Sequence, residues 1–417
     1  MRIKAFQIAI LILGLMFVNG VSQQFMHVSL MPTTVYWIGL GFLLYAAYQS
    51  MKGIYQHPLT YGYMALIIYM VIVGLSYNNN VEMILRDLAI QLFLLAALIT
   101  GYSLTNLRPI LKTFVYVLIF GAIINIIAVL SSPIYIRSSD TSDFIRPLAY
   151  QVQYVLLPIL VLFFIKETFL RENKNIFYLI YIVFVLYFFE QLLFAKRVMF
   201  IKFFVIIALN IYYYYNFKNR SAKSQRILLI LIVLLFLNEV FGHSLKGFYD
   251  ALIGRFSSEG SVVETFKEDG RMATLEIVLA NLMSRRDIYL GLGLGGGVLD
   301  VYTNGKTAIT GFEIGQMSPM IHGGLLFWLF FNAFILYVLS RVRIFKDDPM
   351  DFGLWMGVLI FYVFSFMEGI FITNLVCYEV MIYLVIGYLL RKIVIHDRNW
   401  FIEHKKIKLS SNRMEFK

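Results

Sequence analysis

Charged residues and cysteine are scarce in this chain, and each scarcity excludes a class of protein. Only 15% of the 417 residues are charged, whereas 60% are hydrophobic and 17% are aromatic. A water-soluble core could not bury so much apolar surface, which excludes a soluble domain. Cys377 is the single cysteine, so disulfides within the chain and cysteine-ligated metal sites are excluded as well. The composition therefore predicts a polytopic membrane protein.

Sequence patterns for metal ions and nucleic acid are also missing. No His and Glu residues have metal-ligand spacing, and no Asp-x-Asp lies in a predicted outer loop to hold a divalent ion. The formal net charge of +11 comes from Lys and Arg that lie between apolar segments and at the tail, as membrane orientation requires. We therefore expect no metal, no cofactor and no nucleic-acid partner.

Twelve apolar runs of about 16 to 22 residues fit the thickness of a bilayer and predict an all-α fold. Basic residues in the short connections fall on the same side as Arg2 and the tail from Arg391, which predicts that this side and both termini are cytoplasmic. The start, MRIKAFQIAILILGLMFVNG, lacks a small-residue cleavage site and is predicted to be a retained first span. The predicted spans are 5–22, 33–49, 59–75, 83–100, 111–130, 147–165, 176–195, 198–216, 226–242, 321–340, 351–367 and 371–390.

These spans divide the chain into four parts. Residues 1–242 contain the first nine spans, 243–320 form one large outer loop, 321–390 contain the last three spans, and 391–417 form a basic cytoplasmic tail. The outer loop is the one extended water-facing segment before the tail. We therefore expect the chemistry of the protein to take place there.

An amphipathic helix is predicted inside the outer loop, at the membrane interface. Its apolar residues recur at three- and four-residue spacing and are Leu275, Val278, Leu279, Leu282 and Met283. Arg271 begins this helix, where free backbone N–H groups favour an anion and a guanidinium adds a bidentate partner for phosphate oxygens. A solvated first-turn arginine is the simpler alternative.

The glycine run GLGLGGG follows this helix and formally contains the pattern G-x-G-x-x-G. That fingerprint binds dinucleotides only between a strand and a helix on the cytosolic side, and this run is predicted on the outer side, so we reject that interpretation. Glycines let a backbone turn tightly or pass close to a substrate. Gly291, Gly293 and Gly295 are therefore candidate glycan-binding residues.

Further arginines collect on the predicted outer side. Arg137 and Arg146 flank a short loop, Arg197 lies in the turn FAKRVMF, and Arg255 lies in the large loop. An arginine at bilayer depth costs at least about 3 kcal/mol unless it is paired or wetted. Any one of them alone could be an interfacial anchor. Together, on one outer cavity, they would bind a diphosphate.

His322 heads the tenth predicted span in MIHGGLLFWLFF, where the large loop re-enters the membrane. A histidine side chain suits a general base that takes a proton from a sugar hydroxyl, a role that contributes roughly 10²- to 10⁴-fold in rate. A histidine that only hydrogen-bonds a carbonyl group is the commoner alternative. Acidic residues in the outer halves of the spans are expected to pair with arginines or to form a proton path, and these are Asp87, Glu190, Glu239, Glu368 and Glu379.

Three landmarks in this order resemble the O-antigen polymerase and O-antigen ligase superfamily of bacterial inner-membrane proteins, over about the last 225 residues. They are the basic turn AKR with Arg197, the Gly-Arg of DGRMATLEIVLANL followed by YLGLGLGGG, and His322 in MIHGGLLFWLFF. The family more often has Ser-Arg at the first landmark, His-Asn at the third and a tryptophan in the loop helix, and this chain departs from all three.

The resemblance implies the transmembrane (GT-C type) glycosyltransferase fold, with a periplasmic cavity and a glycan donor on undecaprenyl diphosphate. Arg197 and Arg271 would hold the diphosphate, and His322 would activate the acceptor hydroxyl in an inverting transfer without a metal. The implied partners are a lipid-linked acceptor in the same membrane and a protein that regulates chain length.

The spans rich in Phe and Tyr favour a polymerase, which extends a lipid-linked repeat unit, over a ligase, which transfers the glycan to lipid A core. A lipid-linked oligosaccharide flippase is an alternative from a different class. A transporter would line charges along a path open to each side in turn, whereas the candidate residues here lie on one side and no internal repeat is visible.

Overall fold

A computed structural model describes residues 4–12, 14, 34–51, 58–117, 174–182, 279, 282–283, 287–296, 298–299, 308–309, 316–366 and 377–414. The described part is almost entirely helical. Its helices are α1 (Thr34–Met51), α2 (Pro58–Ser76), α3 (Val81–Ser103), α4 (Met317–Ser340), α5 (Val342–Phe345), α6 (Pro349–Phe364) and α7 (Cys377–Met414). Residues 4–12, 108–117 and 174–182 are helical too. One short antiparallel pair joins β1 (Val298–Leu299) to β2 (Ala308–Ile309).

Helices α2, α3 and α4 are each long and apolar enough to cross a membrane by length and composition, but α4 contains a break at Gly324; α6 is apolar but shorter. These helices fit a helical membrane protein, as the composition predicts. The predicted spans 33–49, 59–75, 83–100 and 351–367 overlap α1, α2, α3 and α6 to within a few residues at each end. The predicted spans 147–165, 198–216 and 226–242 lie outside the described residues, and 5–22, 111–130, 176–195 and 371–390 lie partly outside them.

Helix α7 is longer than the predicted span 371–390, because it continues to Met414 through most of the predicted tail. No glycine or proline follows Gly387 before Met414, so nothing in the sequence breaks the helix there. The segment 391–417 was predicted as a basic cytoplasmic tail, and its residues 391–414 are helical; its location in the cytoplasm stays a prediction.

The packed core is centred on α3, which lies against α1, α2 and α7. Gly101 of α3 and Gly387 of α7 let these two backbones approach closely. A β-carbon on Gly387 would lie 2.8 Å from the backbone nitrogen of Tyr102. Small residues serve this purpose between membrane helices, since they allow backbones to pack where water gives no driving force.

An aromatic cluster joins α2, α4 and α7 in the middle of the described bundle. The ring of Tyr63 lies 6.1 Å from that of Phe327 and 6.4 Å from that of Tyr383, measured between centroids. The Tyr63 hydroxyl donates a hydrogen bond to Oε1 of Gln91 at 2.7 Å, so its polar end is satisfied inside the bundle.

Helix α4 is broken at Gly324, which has φ 62° and ψ −163°, a conformation essentially restricted to glycine. The chain folds back on itself at this point. Asn332 donates from Nδ2 to Oε1 of Gln316 at 3.0 Å, although these two residues would be about 24 Å apart along a straight helix. Residues 317–323 and 325–340 are therefore the short and long arms of a helical hairpin. The predicted single span 321–340 missed the short arm and the break.

A buried polar network fixes the short arm to α6. Gln316 donates from Nε2 to Oγ of Ser365 at 2.8 Å, and the Tyr362 hydroxyl donates to Oδ1 of Asn332 at 2.9 Å. Each of these polar groups thus has a partner at a place where water would otherwise be needed. The network holds the end of the short arm beside the long arm.

Basic residues gather at the opposite end of the bundle. Arg391 of α7 donates to the carbonyl oxygen of Ser103 at 2.8 Å, which satisfies an otherwise unpaired carbonyl at the end of α3. Lys392 forms an ion pair of 3.1 Å with Asp351, which is buried in the first turn of α6. This is the end that the charge pattern predicts to be cytoplasmic.

Candidate site at the break of helix α4

Residues 287–296, here called the glycine loop, lie across one end of the helical bundle. They contact the end of α2, the start of α3 and the break of α4. The predicted topology places these three helix ends on the outer side of the membrane, and the structure brings them together. The position of these three helix ends at one end of the bundle agrees with the predicted topology. The orientation of the bundle in a membrane stays a prediction.

The break in α4 leaves backbone groups without helical partners, and the glycine loop bonds to them. The amides of Leu292 and Gly293 donate to the carbonyl oxygens of Ile321 and His322, at 2.6 and 3.0 Å. The amide of Leu325, at the start of the long arm, donates to the carbonyl oxygen of Ile288 at 2.7 Å. Irregular backbone at membrane depth is tolerated only where such partners exist. The loop and the break therefore stabilise each other.

The three candidate glycines of the loop all have positive φ, with values of 74° at Gly291, 72° at Gly293 and 72° at Gly295. They also pack tightly, since a β-carbon on Gly291 would lie 2.5 Å from the amide nitrogen of Gly324. One on Gly295 would lie 2.8 Å from the amide nitrogen of Ile84. The glycines thus allow the close turns expected from the sequence, and the groups they approach here belong to the protein itself. Their contact with a glycan stays a prediction.

Polar side chains of α2, of α3 and of the connection between them hold the loop from its other side. The hydroxyl of Tyr77 donates to Oδ1 of Asp287 at 2.5 Å, and the hydroxyl of Tyr69 donates to the carbonyl oxygen of Leu290 at 2.9 Å. Oδ2 of Asp87 accepts from the amide of Gly295 at 2.9 Å. The loop is therefore anchored along its whole length.

Asp87 pairs with an arginine that is not among the arginines of the predicted site, so its expected pairing with those stays a prediction. Its partner is the adjacent Arg86, at 3.3 Å, with the Asp87 side chain largely buried and the Arg86 side chain 51% exposed. Glu379 is fully buried in α7. Glu190, Glu239 and Glu368 lie outside the described residues.

His322 is buried, with 7% of its surface exposed, and it is the last residue but one before the break. Its Nδ1 lies 3.1 Å from the carbonyl oxygen of Gly293. A carbonyl oxygen only accepts hydrogen bonds, so Nδ1 carries the hydrogen and the lone pair of a neutral ring is on Nε2. Among the described residues, Nε2 has no hydrogen-bond partner. This contact is the one expected of a structural histidine. It does not involve Nε2, the atom with which a general base takes up a proton.

The arginine part of the predicted site lies outside the described residues. This applies to Arg137, Arg146, Arg197, Arg255 and Arg271, so their convergence on His322 stays a prediction. Of the predicted amphipathic helix, positions 279, 282 and 283 are helical. Leu282 is buried but Met283 is 60% exposed, which puts the two on different sides in the described part of the chain.

The sequence did not identify three residues that hold the glycine loop in place. They are Tyr77 and Asp287, which bond to each other, and Asn79, whose side chain bonds to the carbonyl oxygen of Leu292. Tyr77 and Asn79 lie in the short connection SYNNN between two apolar runs, and Asp287 lies in the loop itself. A run of three asparagines between two spans is a visible signal, since asparagine favours turns and helix caps. Its contact with residues more than 200 positions later is not a local signal.

Within the described residues, no group of three His, Cys, Asp or Glu side chains could hold a metal ion.

Compared with known protein families, characterised proteins and solved structures, the chain matches none of them.

Proposed function

We propose that the chain is a glycosyltransferase of the O-antigen polymerase type in the bacterial inner membrane. It transfers a growing glycan from undecaprenyl diphosphate to the non-reducing end of a lipid-linked repeat unit at the periplasmic face. The proposal includes twelve spans in the transmembrane (GT-C type) glycosyltransferase fold. Its basis in the sequence is the order of the three landmarks, and its support in the structure is the geometry of His322.

The observation that carries the proposal is the 3.1 Å contact between Nδ1 of His322 and the carbonyl oxygen of Gly293. The hydrogen on Nδ1 leaves the lone pair on Nε2, as a general base requires. The break at Gly324 also places His322 at the end of a helical arm, beside the loop that carries the candidate glycines. A base in this position would lie on the same side as the proposed lipid-linked substrates.

The proposed reaction is a single displacement. The acceptor hydroxyl oxygen forms a bond to the anomeric carbon of the donor, the bond from that carbon to the diphosphate oxygen breaks, and the hydroxyl proton passes to Nε2 of His322. Attack from the face opposite to the leaving group inverts the anomeric centre. Arg197 and Arg271 stabilise the negative charge that develops on the departing undecaprenyl diphosphate, in the role that fixed cations play when no metal ion takes part.

A matched substitution separates a catalytic His322 from a structural one. The side-chain amide of His322→Asn can donate to the Gly293 carbonyl as Nδ1 does, but it has no basic nitrogen. We expect His322→Asn to accumulate normally and to lose long glycan in cells that lack the native gene. His396→Asn is the control, because His396 is exposed and lies in the predicted cytoplasmic extension of α7. Full glycan ladders from His322→Asn would refute the proposed role.

A substitution at Arg271 tests the proposed binding of the donor diphosphate in the same assay. Arg271→Ala is expected to abolish long glycan at a normal protein level, whereas Arg343→Ala, on an exposed arginine at the predicted cytoplasmic end, is expected to leave it unchanged. Deletion of the gene then identifies the acceptor on a lipopolysaccharide gel. Core that carries a single repeat unit indicates a polymerase, and bare core indicates a ligase.

A flippase requires a different measurement, since its loss also removes long glycan. Proteoliposomes that contain the purified protein and lipid-linked repeat units separate the two activities. Lengthening of the glycan without movement of lipid across the bilayer supports transfer. Lipid movement without lengthening would replace the proposal with transport.

A further inference from the structure

Three consecutive asparagines connect α2 to α3, and each has a different role. Asn78 has φ 54° at the end of α2, and its amide donates to the carbonyl oxygen of Leu75 at 3.1 Å, which is the left-handed position of a Schellman helix end. Asn80 is the N-cap of α3, and its side chain accepts from the amide of Glu82 at 2.9 Å. Both of these roles are local.

The side chain of Asn79 contacts residues that are distant in the sequence. Its side-chain nitrogen Nδ2 donates to the carbonyl oxygen of Leu292 at 2.7 Å and to that of Leu294 at 2.9 Å. Both amide hydrogens are used, because an NH₂ group has two. Its own backbone amide donates to the carbonyl oxygen of Gly74 at 3.0 Å, which fixes Asn79 to the end of α2.

The two carbonyl groups held by Asn79 flank Gly293, the residue that contacts His322. Gly293 exchanges two contacts with His322, since its amide donates to the His322 carbonyl oxygen at 3.0 Å and its own carbonyl oxygen lies 3.1 Å from Nδ1. With the carbonyl on either side turned toward Asn79, the Gly293 carbonyl between them is turned toward the imidazole. The amide of Gly296 also donates to the Gly293 carbonyl oxygen, at 3.3 Å. Asn79 holds the peptide groups on both sides of this carbonyl and so helps to orient the group that contacts Nδ1 of His322.

We propose that Asn79 is a positioning residue, which keeps the hydrogen of His322 on Nδ1 through the carbonyl group of Gly293. The inference rests on the proposed function for its catalytic meaning and deepens it at the same site. A side chain that fixes a histidine tautomer is a recurrent requirement of acid–base sites. Here a side chain in the connection between α2 and α3 provides it through a main-chain carbonyl group.

The test is a nearly isosteric substitution with its control one residue away. Asn79→Asp replaces the donating NH₂ by an oxygen that faces two carbonyl oxygens. Both hydrogen bonds are lost, and the new oxygen repels the two carbonyl oxygens. Asn80→Asp makes the same change in the same turn, but aspartate caps a helix about as well as asparagine. We expect Asn80→Asp to behave as the wild type.

The readout is the tautomer of His322, measured by nitrogen NMR on protein labelled with ¹⁵N-histidine in nanodiscs. The chain has six histidines, and the His322→Asn variant identifies the signal. The wild type and Asn80→Asp are expected to show the hydrogen on Nδ1. Asn79→Asp is expected to show a mixture of tautomers or the hydrogen on Nε2. Unchanged His322 signals in Asn79→Asp would overturn the proposal.

This readout needs no glycan transfer, so it does not depend on the proposed function. If His322→Asn keeps its activity, the proposed role of His322 as general base fails, while the tautomer result still decides the role of Asn79. If Asn79→Asp does not accumulate, Asn79→Ser is used, since its hydroxyl keeps one donor, and we expect a smaller change in the same direction. In a transfer assay we expect Asn79→Asp to lower kcat by about 10- to 100-fold with KM unchanged.

Discussion

Gly293 of the glycine loop lies directly against Gly74 of α2. A β-carbon on Gly293 would contact the backbone nitrogen of Gly74 and would lie 2.7 Å from the carbonyl carbon of Val73. In the other direction, a β-carbon on Gly74 would lie 3.1 Å from the amide nitrogen of Leu294. Two main chains are thus in contact, and the loop can reach His322 only because neither residue has a side chain.

The first prediction follows from this contact. Gly293→Ala introduces a methyl group at φ 72° and against the backbone of α2. The left-handed conformation costs about 1–2 kcal/mol, and overpacking costs typically about 1–3 kcal/mol. We expect the variant to aggregate at a clearly lower temperature than the wild type when both are heated in detergent.

Gly41→Ala is the control for this substitution. Gly41 is in α1, and a β-carbon there would have no atom within 4 Å. The thermal stability of Gly41→Ala is expected to be unchanged or slightly higher, since alanine favours a helix by up to about 1 kcal/mol over glycine. Equal losses in the two variants would mean that the contact with Gly74 is not the cause.

The second prediction concerns the fold of α4. We expect cysteines at positions 316 and 332, in a Cys377→Ser background, to be joined by a short bifunctional thiol reagent. The side chains at these positions are hydrogen-bonded at 3.0 Å, whereas a straight helix would separate them by about 24 Å. Mass spectrometry of a proteolytic digest detects the link.

Cysteines at positions 316 and 340 provide the matched control. Position 340 lies eight residues beyond 332 on the long arm, about 12 Å further along the helix, so the same reagent should not join this pair. A straight helix would keep both pairs too far apart to be joined, so absence of the link between positions 316 and 332 would rule out the hairpin.

Local signals explain which parts of the fold the sequence could predict. The position of α2 was predicted as 59–75 and observed at 58–76, because the length of an apolar run is a property of consecutive residues. The reversal at Gly324 was missed. Its causes are contacts between residues distant in sequence, such as Gln316 with Asn332, and the pair Gly323-Gly324 was the one local sign of it.

The candidate site likewise contains residues that local signals indicate and residues that only contacts distant in sequence connect. His322 stood out from the sequence because it heads an apolar run where the predicted outer loop re-enters the membrane, and the glycine run stood out by composition. Asn79 could not be connected with them, since 213 positions separate it from Leu292. A hydrogen bond over that separation leaves no periodic pattern in one sequence.

The third prediction tests the orientation of the bundle. Glu82, in the first turn of α3, and Asp347, between α5 and α6, are both exposed. In a Cys377→Ser background, Glu82→Cys is expected to react with a membrane-impermeant maleimide in intact spheroplasts, because the charge pattern predicts this end to be periplasmic. Asp347→Cys is expected to react only after the membrane is permeabilised. The opposite pattern would place the glycine loop and His322 in the cytoplasm and would end the proposed function.

The fourth prediction concerns the ion pair at the other end of the bundle. Asp351 is buried and its Oδ2 lies 3.1 Å from Nζ of Lys392, whose side chain is 37% exposed. Removal of one partner from a fully buried pair costs about 3–5 kcal/mol, and the exposure of Lys392 reduces that cost here. A double-mutant cycle with Asp351→Asn and Lys392→Met, followed by unfolding in mixed micelles, is expected to give a coupling energy of about 1–2 kcal/mol.

A more exposed ion pair, between Arg341 at the end of α4 and Asp397 of α7, provides the comparison for this cycle. Arg341 and Asp397 lie 3.5 Å apart, and both side chains are 42% exposed. Solvent screens such a pair, so its coupling energy is expected to be below about 0.5 kcal/mol. Equal coupling in the two cycles would mean that burial of Asp351 does not strengthen its pair with Lys392, and that the start of α6 is held to α7 by apolar packing alone.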